Sequence, residues 1–183
     1  MRNKLILTLI IFILVGSMTS PVFAQPGFGM GGMGPGMMEV VNSEYEFLIK
    51  MIPHHEEAVY NAKILRDNTN RKKMKKFPKD IIEIQTNEIE EMKKYLNKWY
   101  PNKTNNYEYQ PMMGDYEGLE GEELDYHFLK DMIFHHMGAV MMAQQFIMKG
   151  LDEHKEVYLL ATSIRNSQRQ EIFMMREWID NWY

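Results

Sequence analysis

The 183-residue chain contains no cysteine. It can therefore form no disulfide framework, thiolate metal ligand or thiol nucleophile. It also has no G-x-S-x-G nucleophile elbow, no glycine-rich phosphate-binding loop and no paired-carboxylate motif. These absences predict a protein that is not an enzyme, and any metal must be bound by His, Met or carboxylate groups.

The chain also has no excess of basic residues, since its net charge is −4 at pH 7. Its one dense basic run, residues 71–76, contains no aromatic side chain and is typical of a solvated helix face. An acidic chain of this kind is not expected to bind nucleic acid. No segment shows the sustained polar and apolar alternation of a β-strand.

The N-terminus has the features of a secretory signal peptide. Arg2 and Lys4 precede an apolar run over residues 5–15, and Val22-Phe23-Ala24 offers small residues for cleavage after Ala24. Removing residues 1–24 would leave 159 residues with a net charge of −6, enough for one domain. We expect a periplasmic or secreted protein with no membrane association after cleavage, although an uncleaved anchor is the alternative.

Residues 25–42 are predicted to form a flexible tail, because they are rich in glycine and show no hydrophobic period. This segment carries four methionines whose thioethers could bind a soft cation such as Cu(I). A plain linker with incidental methionines is the alternative. The candidate ligands are Met30, Met33, Met37 and Met38.

A short motif occurs twice in the rest of the chain. Residues 51–55 read Met-Ile-Pro-His-His and residues 132–136 read Met-Ile-Phe-His-His, so the motifs contain four of the six histidines. In a helix, Met lies three and four residues before the two histidines, so its thioether can share a patch with either imidazole. The candidate metal ligands are Met51, His54, His55, Met132, His135 and His136.

Hydrophobic residues at helical spacing predict four helices. Repeat one covers residues 43–100, opens on a capping box at Ser43-Glu-Tyr-Glu46 and is followed by a linker over 101–120. Repeat two covers residues 121–183, and Gly150 is a plausible helix stop. Two like hairpins packed face to face predict an all-α four-helix bundle. Pro53 and Pro78 suggest that a helix of repeat one is kinked or starts late.

The second helix of each repeat also has a shared apolar stripe, which is predicted to face the interior. Met92 and Met175 are further candidate ligands, with core packing as the alternative. Gln85 and Gln168 could orient histidine rings through hydrogen bonds. Glu88 and Glu171 lie at the edges of the apolar stripes, where we expect them to be solvated.

The chemistry of these residues favours copper. Thioether sulfur is soft, and neutral imidazole binds copper in both common oxidation states, so we expect Cu(I), with Ag(I) or Cu(II) as alternatives. A di-iron site needs Glu three residues before His on bundle helices, and no histidine here has one. The motifs could instead be core residues whose rings are hydrogen-bonded to buried partners.

The repeated pattern Phe-Leu-x-x-Met-Ile-x-His-His-x-x-Ala, followed by Gln-x-x-Glu-Ile-x-x-Met, resembles the DUF305 family of bacterial helical proteins, and in particular its periplasmic copper-binding members. The resemblance covers nearly the whole chain after the tail. It implies a four-helix up-and-down (ferritin-like) bundle and a role in copper binding or resistance, with the metal at the two Met-x-x-His-His motifs. Phe134 replaces the proline found at this position of the motif.

These observations predict a protein that sequesters or hands over Cu(I), in contact with a copper donor or acceptor protein. The alternative is a metal-free helical interaction module with a methionine-rich surface. A metal-dependent redox enzyme is a third possibility that no motif supports. The sequence leaves the oligomeric state open.

Overall fold

The computed structural model describes residues 39–183, which form four α-helices and no β-strand. Helix α1 spans Glu44–Asn68, α2 spans Lys72–Trp99, α3 spans Gly121–Met148 and α4 spans Lys155–Trp182. Because α1 packs along α2 and α3 along α4, each repeat is one helical hairpin. The predicted all-α bundle of two hairpins is confirmed, whereas the expected signal peptide and the four tail methionines lie outside the described residues.

The expected helix signals at Ser43 and Gly150 are both present. Ser43 Oγ accepts a hydrogen bond from the Glu46 amide at 3.1 Å, which satisfies one of the free N–H groups at the start of α1. Gly150 has φ of +60° just after α3, where the Leu151 amide donates to the Phe146 carbonyl at 3.2 Å. This is a Schellman ending, and it needs the left-handed conformation that glycine adopts without strain.

Pro53 and Pro78 both lie inside helices, in α1 and α2. The suggested late start of the second helix is wrong, because α2 begins at Lys72, six residues before Pro78. Each proline removes one backbone hydrogen bond. Pro78 is itself buried, as are Phe77 and Ile81 on the same turn, and burial of its ring compensates in part for the lost bond.

Residues 39–42, which the sequence assigned to the tail, lie against the bundle. Val41 is fully buried. The Gln145 side chain donates to the Glu39 carbonyl at 2.8 Å, and Lys149 donates to the Val41 carbonyl at 2.8 Å. These hydrogen bonds hold residues 39–42 against the C-terminal end of α3. No helix within residues 39–183 is both long and apolar enough to cross a bilayer.

The interior contains two apolar cores. Core one joins the N-terminal half of α1 to the C-terminal half of α3, together with the neighbouring halves of α2 and α4. Core two joins the opposite halves of the same helices and includes Tyr116 from the linker. The helices α1 and α3 therefore run antiparallel, and they form the main contact between the hairpins. Both histidine pairs lie at the boundary between core one and core two.

Phe146 offers a test of the α1–α3 contact. Its ring stacks on Phe47 with centroids 4.7 Å apart, and both side chains are fully buried. Replacing Phe146 with Ala should lower the free energy of unfolding by about 3–5 kcal/mol, because it removes buried apolar area and leaves a cavity. Urea unfolding should show this loss, whereas Phe173→Ala, at a ring that is 64% exposed, should change stability by less than about 0.5 kcal/mol. Equal effects in the two variants would contradict the described core.

Candidate metal centre

The four repeated histidines form a polar layer between the two apolar cores. Their exposure is 1% for His54 and 0% for His55, His135 and His136. Helices α1 and α3 each contribute one pair, because adjacent histidines in a helix point about 100° apart and only an interior seam buries both. The glutamines Gln85 and Gln168, from α2 and α4, are also buried.

His54 and His135 are the inner pair of this layer. Their ring centroids are 3.7 Å apart with planes inclined at 37°, so α1 and α3 bring one imidazole from each repeat into direct contact. Within residues 39–183, neither ring nitrogen of His54 has a hydrogen-bond partner, and the same holds for Nδ1 of His135, whereas His135 Nε2 lies 3.3 Å from the Glu57 carboxylate. A buried polar atom without a partner costs about 1–3 kcal/mol, so this pair is an expensive way to fill a core.

The inner histidines are held in their neutral form. Burial, followed by the electrostatic influence of His135, His55 and His136, holds the pKa of His54 well below its ordinary value. Burial also lowers the pKa of His135 to about 4, although the nearby Glu57 carboxylate opposes this shift. A neutral imidazole has a lone pair available, which is the form that binds metal.

His55 and His136 are the outer pair, and each contacts a carboxylate of its own hairpin. His55 Nε2 lies 2.9 Å from Glu88 Oε2, and His136 Nε2 lies 2.6 Å from Glu171 Oε2. The expectation that Glu88 and Glu171 are solvated is therefore wrong. They sit at stripe edges, but a carboxylate there can reach inward to a ring. In both histidines Nδ1 has no partner among the described residues.

The glutamines do not take the role expected of them. The carbonyl oxygen of Gln85 and both amide atoms of Gln168 are buried without a hydrogen-bond partner in the described part of the chain. The layer therefore contains further unsatisfied polar atoms besides the rings. The orienting role belongs to the glutamates one helical turn further along α2 and α4.

Glu57 is a site residue that the sequence analysis missed. Its carboxylate lies 3.3 Å from His135 Nε2 and accepts hydrogen bonds from the linker. Burial raises the pKa of Glu57, but its hydrogen bonds with His135, Tyr109 and the Met113 amide outweigh that effect and leave the pKa below its ordinary value. The available signal was position, because Glu57 lies three residues after His54 on the same helical face.

The four candidate methionines of the bundle are divided between the cores. Met51 and Met92 lie in core one, whereas Met132 and Met175 lie in core two, and all four are fully buried. Because α1 and α3 are antiparallel, a Met three residues before His lies on opposite sides of the layer in the two repeats. The four thioethers are thus divided between the two cores, and packing already accounts for their burial.

Within residues 39–183, no group of three or more His, Asp or Glu side chains is arranged to bind a metal ion together. At the centre of the layer the structure brings two neutral imidazoles into contact, and the carboxylates of Glu57, Glu88 and Glu171 approach three of the four rings. Neutral imidazole is a ligand for borderline metal ions, copper among them.

The fold and this site define a class of protein: an all-α bundle of two repeated hairpins with a histidine layer at their seam. The chain belongs to the DUF305 family, whose description is Domain of unknown function and which it matches over residues 44–179. No curated protein sequence matches the chain.

The fold is similar to solved structures of the protein CopM. The Cu(II)-bound form has a TM-score of 0.69 at 31% identity, covering 79% of this chain and 100% of that one. The Cu(I)-bound form has the same TM-score and identity, with 78% and 99% covered. A DUF305 protein from Streptomyces coelicolor, provisionally described as secreted, has a TM-score of 0.68 at 25% identity, with 76% and 93% covered.

The neutral inner histidines predict how the metal-free protein responds to acid. The unfolded chain binds protons to His135 below about pH 6.5, whereas the folded chain does so only near pH 4, so stability falls as the pH drops between these values. By pH 4, this effect of His135 should have lowered the free energy of unfolding by on the order of 3 kcal/mol. Unfolding free energies from pH 7 to pH 4 should show a flatter dependence in His135→Gln than in the wild type.

The control for this measurement is His127→Gln, since His127 is exposed and outside the layer. That variant should keep the wild-type pH dependence. A His135→Gln protein with an unchanged slope would show that the buried ring does not govern the response to acid.

Proposed function

We propose that this chain is a copper-binding protein that sequesters or hands over Cu(I) through its histidine layer. The proposal names His54, His55, His135 and His136 as the imidazole donors. It names Met51, Met132, Met92 and Met175 as the thioethers that border them. The ion is cargo rather than a catalytic cofactor, and no catalytic residue is assigned.

The observation that carries the proposal is the set of buried ring nitrogens without partners. Both nitrogens of His54 are of this kind, and so is Nδ1 of His55, His135 and His136. An interaction module would gain nothing from burying them, because each costs stability and none reaches the surface. A metal ion bound to the neutral rings would offset that cost.

The Glu88 and Glu171 contacts also support metal binding. A carboxylate on one ring nitrogen fixes the tautomer and makes the other nitrogen a better ligand, an arrangement common among metal-bound histidines. In His55 and His136 the carboxylate occupies Nε2, so Nδ1 is the nitrogen left for an ion. The assignment of protons to these nitrogens follows from the contacts.

The choice of copper rests on softness and on the relatives. Thioether and imidazole donors favour Cu(I) over Zn(II), Fe(II) or hard divalent ions, and Ag(I) shares the preference for sulfur. The name CopM belongs to structures solved with Cu(I), with Cu(II) and with silver, at 31% identity to this chain. Copper binding in this chain is the extension we make from that likeness.

The proposed location is the periplasm or the outside of the cell, which the predicted signal peptide and the description of the Streptomyces relative as secreted both support. There, a protein without cysteine can bind Cu(I) through ligands that form no disulfides. The proposed partners are the copper ion and a copper donor or acceptor protein, with no role for nucleic acid.

The histidine layer can be tested by metal-dependent melting in a protein whose tail thioethers have been removed. Met30, Met33, Met37 and Met38 are changed to Leu, and this protein is compared with one in which His54, His55, His135 and His136 are also changed to Gln. With free Cu(I) at 100 times Kd, binding should stabilise the first protein by about 2.7 kcal/mol, or roughly 5–10 °C in Tm. The four-Gln protein should show no shift.

Zn(II) at the same concentration should produce a smaller shift in the first protein, and His127→Gln should leave the Cu(I) shift intact. The absence of any Cu(I)-dependent shift in the protein with an intact layer would refute the core site. It would favour the interaction module instead.

The tail methionines can be tested by acid. At pH 3, below the pKa of about 4 for His135, protonated rings should release copper, whereas thioethers do not titrate. Any Cu(I) retained after dialysis of the wild-type protein at pH 3 should disappear when Met30, Met33, Met37 and Met38 are changed to Leu. Met148→Leu, at a methionine that is 76% exposed, should retain it. Equal retention in all three proteins would show that the tail is only a linker.

A further inference from the structure

The linker between the hairpins crosses the bundle beside the inner histidines. We call residues 109–116 the strap. Glu57 of α1 accepts hydrogen bonds from the Met112 amide at 2.9 Å, from the Met113 amide at 3.0 Å and from the Tyr109 hydroxyl. Asp131 of α3 accepts bonds from the other end of the strap, at the Gly114 amide and the Tyr116 hydroxyl, both at 3.0 Å.

One carboxylate on each central helix thus fastens the strap across the α1–α3 seam. Glu57 is the more significant of the two, because the same carboxylate lies 3.3 Å from His135 Nε2. The strap and the inner histidine pair are therefore held by one group. The position of the strap beside the pair is fixed by these hydrogen bonds, most of them partly buried, rather than by chain connectivity alone.

The side chain of Met112 lies next to His54. A Cβ placed on Gly138 would be 3.2 Å from His54 Nε2, 3.4 Å from Met112 Sδ and 3.1 Å from Met112 Cε. The thioether and the unpartnered ring nitrogen therefore border the same small volume against the backbone of α3. Only a residue without a side chain leaves this volume open.

The repeat shows that this volume is specific to one side of the bundle. Gly138 follows His135 by three residues, as Glu57 follows His54 by three, so the two occupy equivalent places in the repeats. Glu57 supplies the carboxylate that holds the strap. Gly138 has no side chain and so leaves room for the Met112 thioether beside α3. The two repeats therefore differ at the two equivalent positions that contact the strap, Glu57 and Gly138.

On the basis of the proposed function, we propose that Met112 is a ligand of the Cu(I) ion bound by His54 and His135. Two imidazoles and one thioether form a soft donor set suited to Cu(I). Met51 and Met132 lie inside the apolar cores, whereas Met112 is only half-buried. The Met112 thioether can therefore move toward the ion without opening the bundle.

The neighbouring Met113 provides a matched control. It belongs to the same strap and donates its amide to the same carboxylate, but its side chain packs against core two. Replacing either methionine with Leu preserves volume and apolarity while deleting the sulfur. Any difference between the two variants reports on the position of the thioether, because loss of strap packing is common to both.

The experiment uses the chain with the four tail methionines changed to Leu, titrated with Cu(I) against a competing chelator. Met112→Leu should weaken Cu(I) binding at least tenfold, and Met113→Leu should leave it within twofold. X-ray absorption of the copper-loaded proteins should show one fewer sulfur neighbour in Met112→Leu alone. Circular dichroism of the metal-free variants should match the parent protein.

Gly138→Ala tests the same volume from the other side. Alanine is favoured over glycine inside a helix, so the bundle should keep its helical content. Its methyl group would crowd both His54 Nε2 at 3.2 Å and Met112 Cε at 3.1 Å, so one or both groups must shift, and Cu(I) affinity should fall at least tenfold. Wild-type affinity in Gly138→Ala would overturn the proposal.

The outcomes separate this inference from the proposed function. Wild-type affinity in Met112→Leu, together with lost binding in the His54→Gln, His135→Gln double variant, would refute the Met112 assignment and leave the histidine site standing. An equal loss in Met112→Leu and Met113→Leu would also refute it, because strap packing would then be the cause. No Cu(I) binding by the parent protein would overturn both.

Discussion

The constraint that shapes this bundle is the burial of four imidazole groups at the contact between its two hairpins. A neutral imidazole has one donor and one acceptor nitrogen, and both normally find partners when they leave water. Here Glu88 and Glu171 satisfy one nitrogen in each outer ring, and the inner rings of His54 and His135 rest on each other. Two apolar cores supply the stability that this layer lowers. The helices are long because they must extend beyond the layer on both sides to build those cores.

The antiparallel packing of α1 and α3 explains why the two repeated motifs meet in one layer. A twofold arrangement brings His54 and His135 together at the centre, and it sends the preceding methionines into opposite cores. The linker then breaks the symmetry, since a single connection can cross only one face. Glu57 and Gly138 occupy equivalent places in the repeats, but one fastens the strap and the other leaves room beside it. The duplicated sequence therefore yields a site with one distinct side.

Helical periodicity was sufficient to predict the four helices, because apolar stripes of this length have no other stable arrangement than mutual burial. The capping residue Ser43 and the stop at Gly150 followed from local backbone chemistry. The roles of Glu57, Glu88 and Glu171 did not, because residues at a stripe edge face water or the interior according to how the hairpins pack. The strap was also beyond prediction, since its position depends on carboxylates that lie 55 residues before Met112 and 17 residues after Gly114. Long-range polar contacts of this kind leave no periodic signal.

A bundle selected for stability alone would fill this layer with Leu or Phe, because replacing buried polar groups by packed apolar ones is often neutral or stabilising. The conflict between the polar layer and the surrounding cores is the kind that natural proteins tolerate at functional sites. Its location adds a mechanical consequence. His54 belongs to one hairpin and His135 to the other, and α1 and α3 are the main contact between them. An ion bound by both rings would therefore join the hairpins at the point where unpartnered nitrogens most weaken the contact, so metal affinity and bundle stability would be two measures of the same interaction.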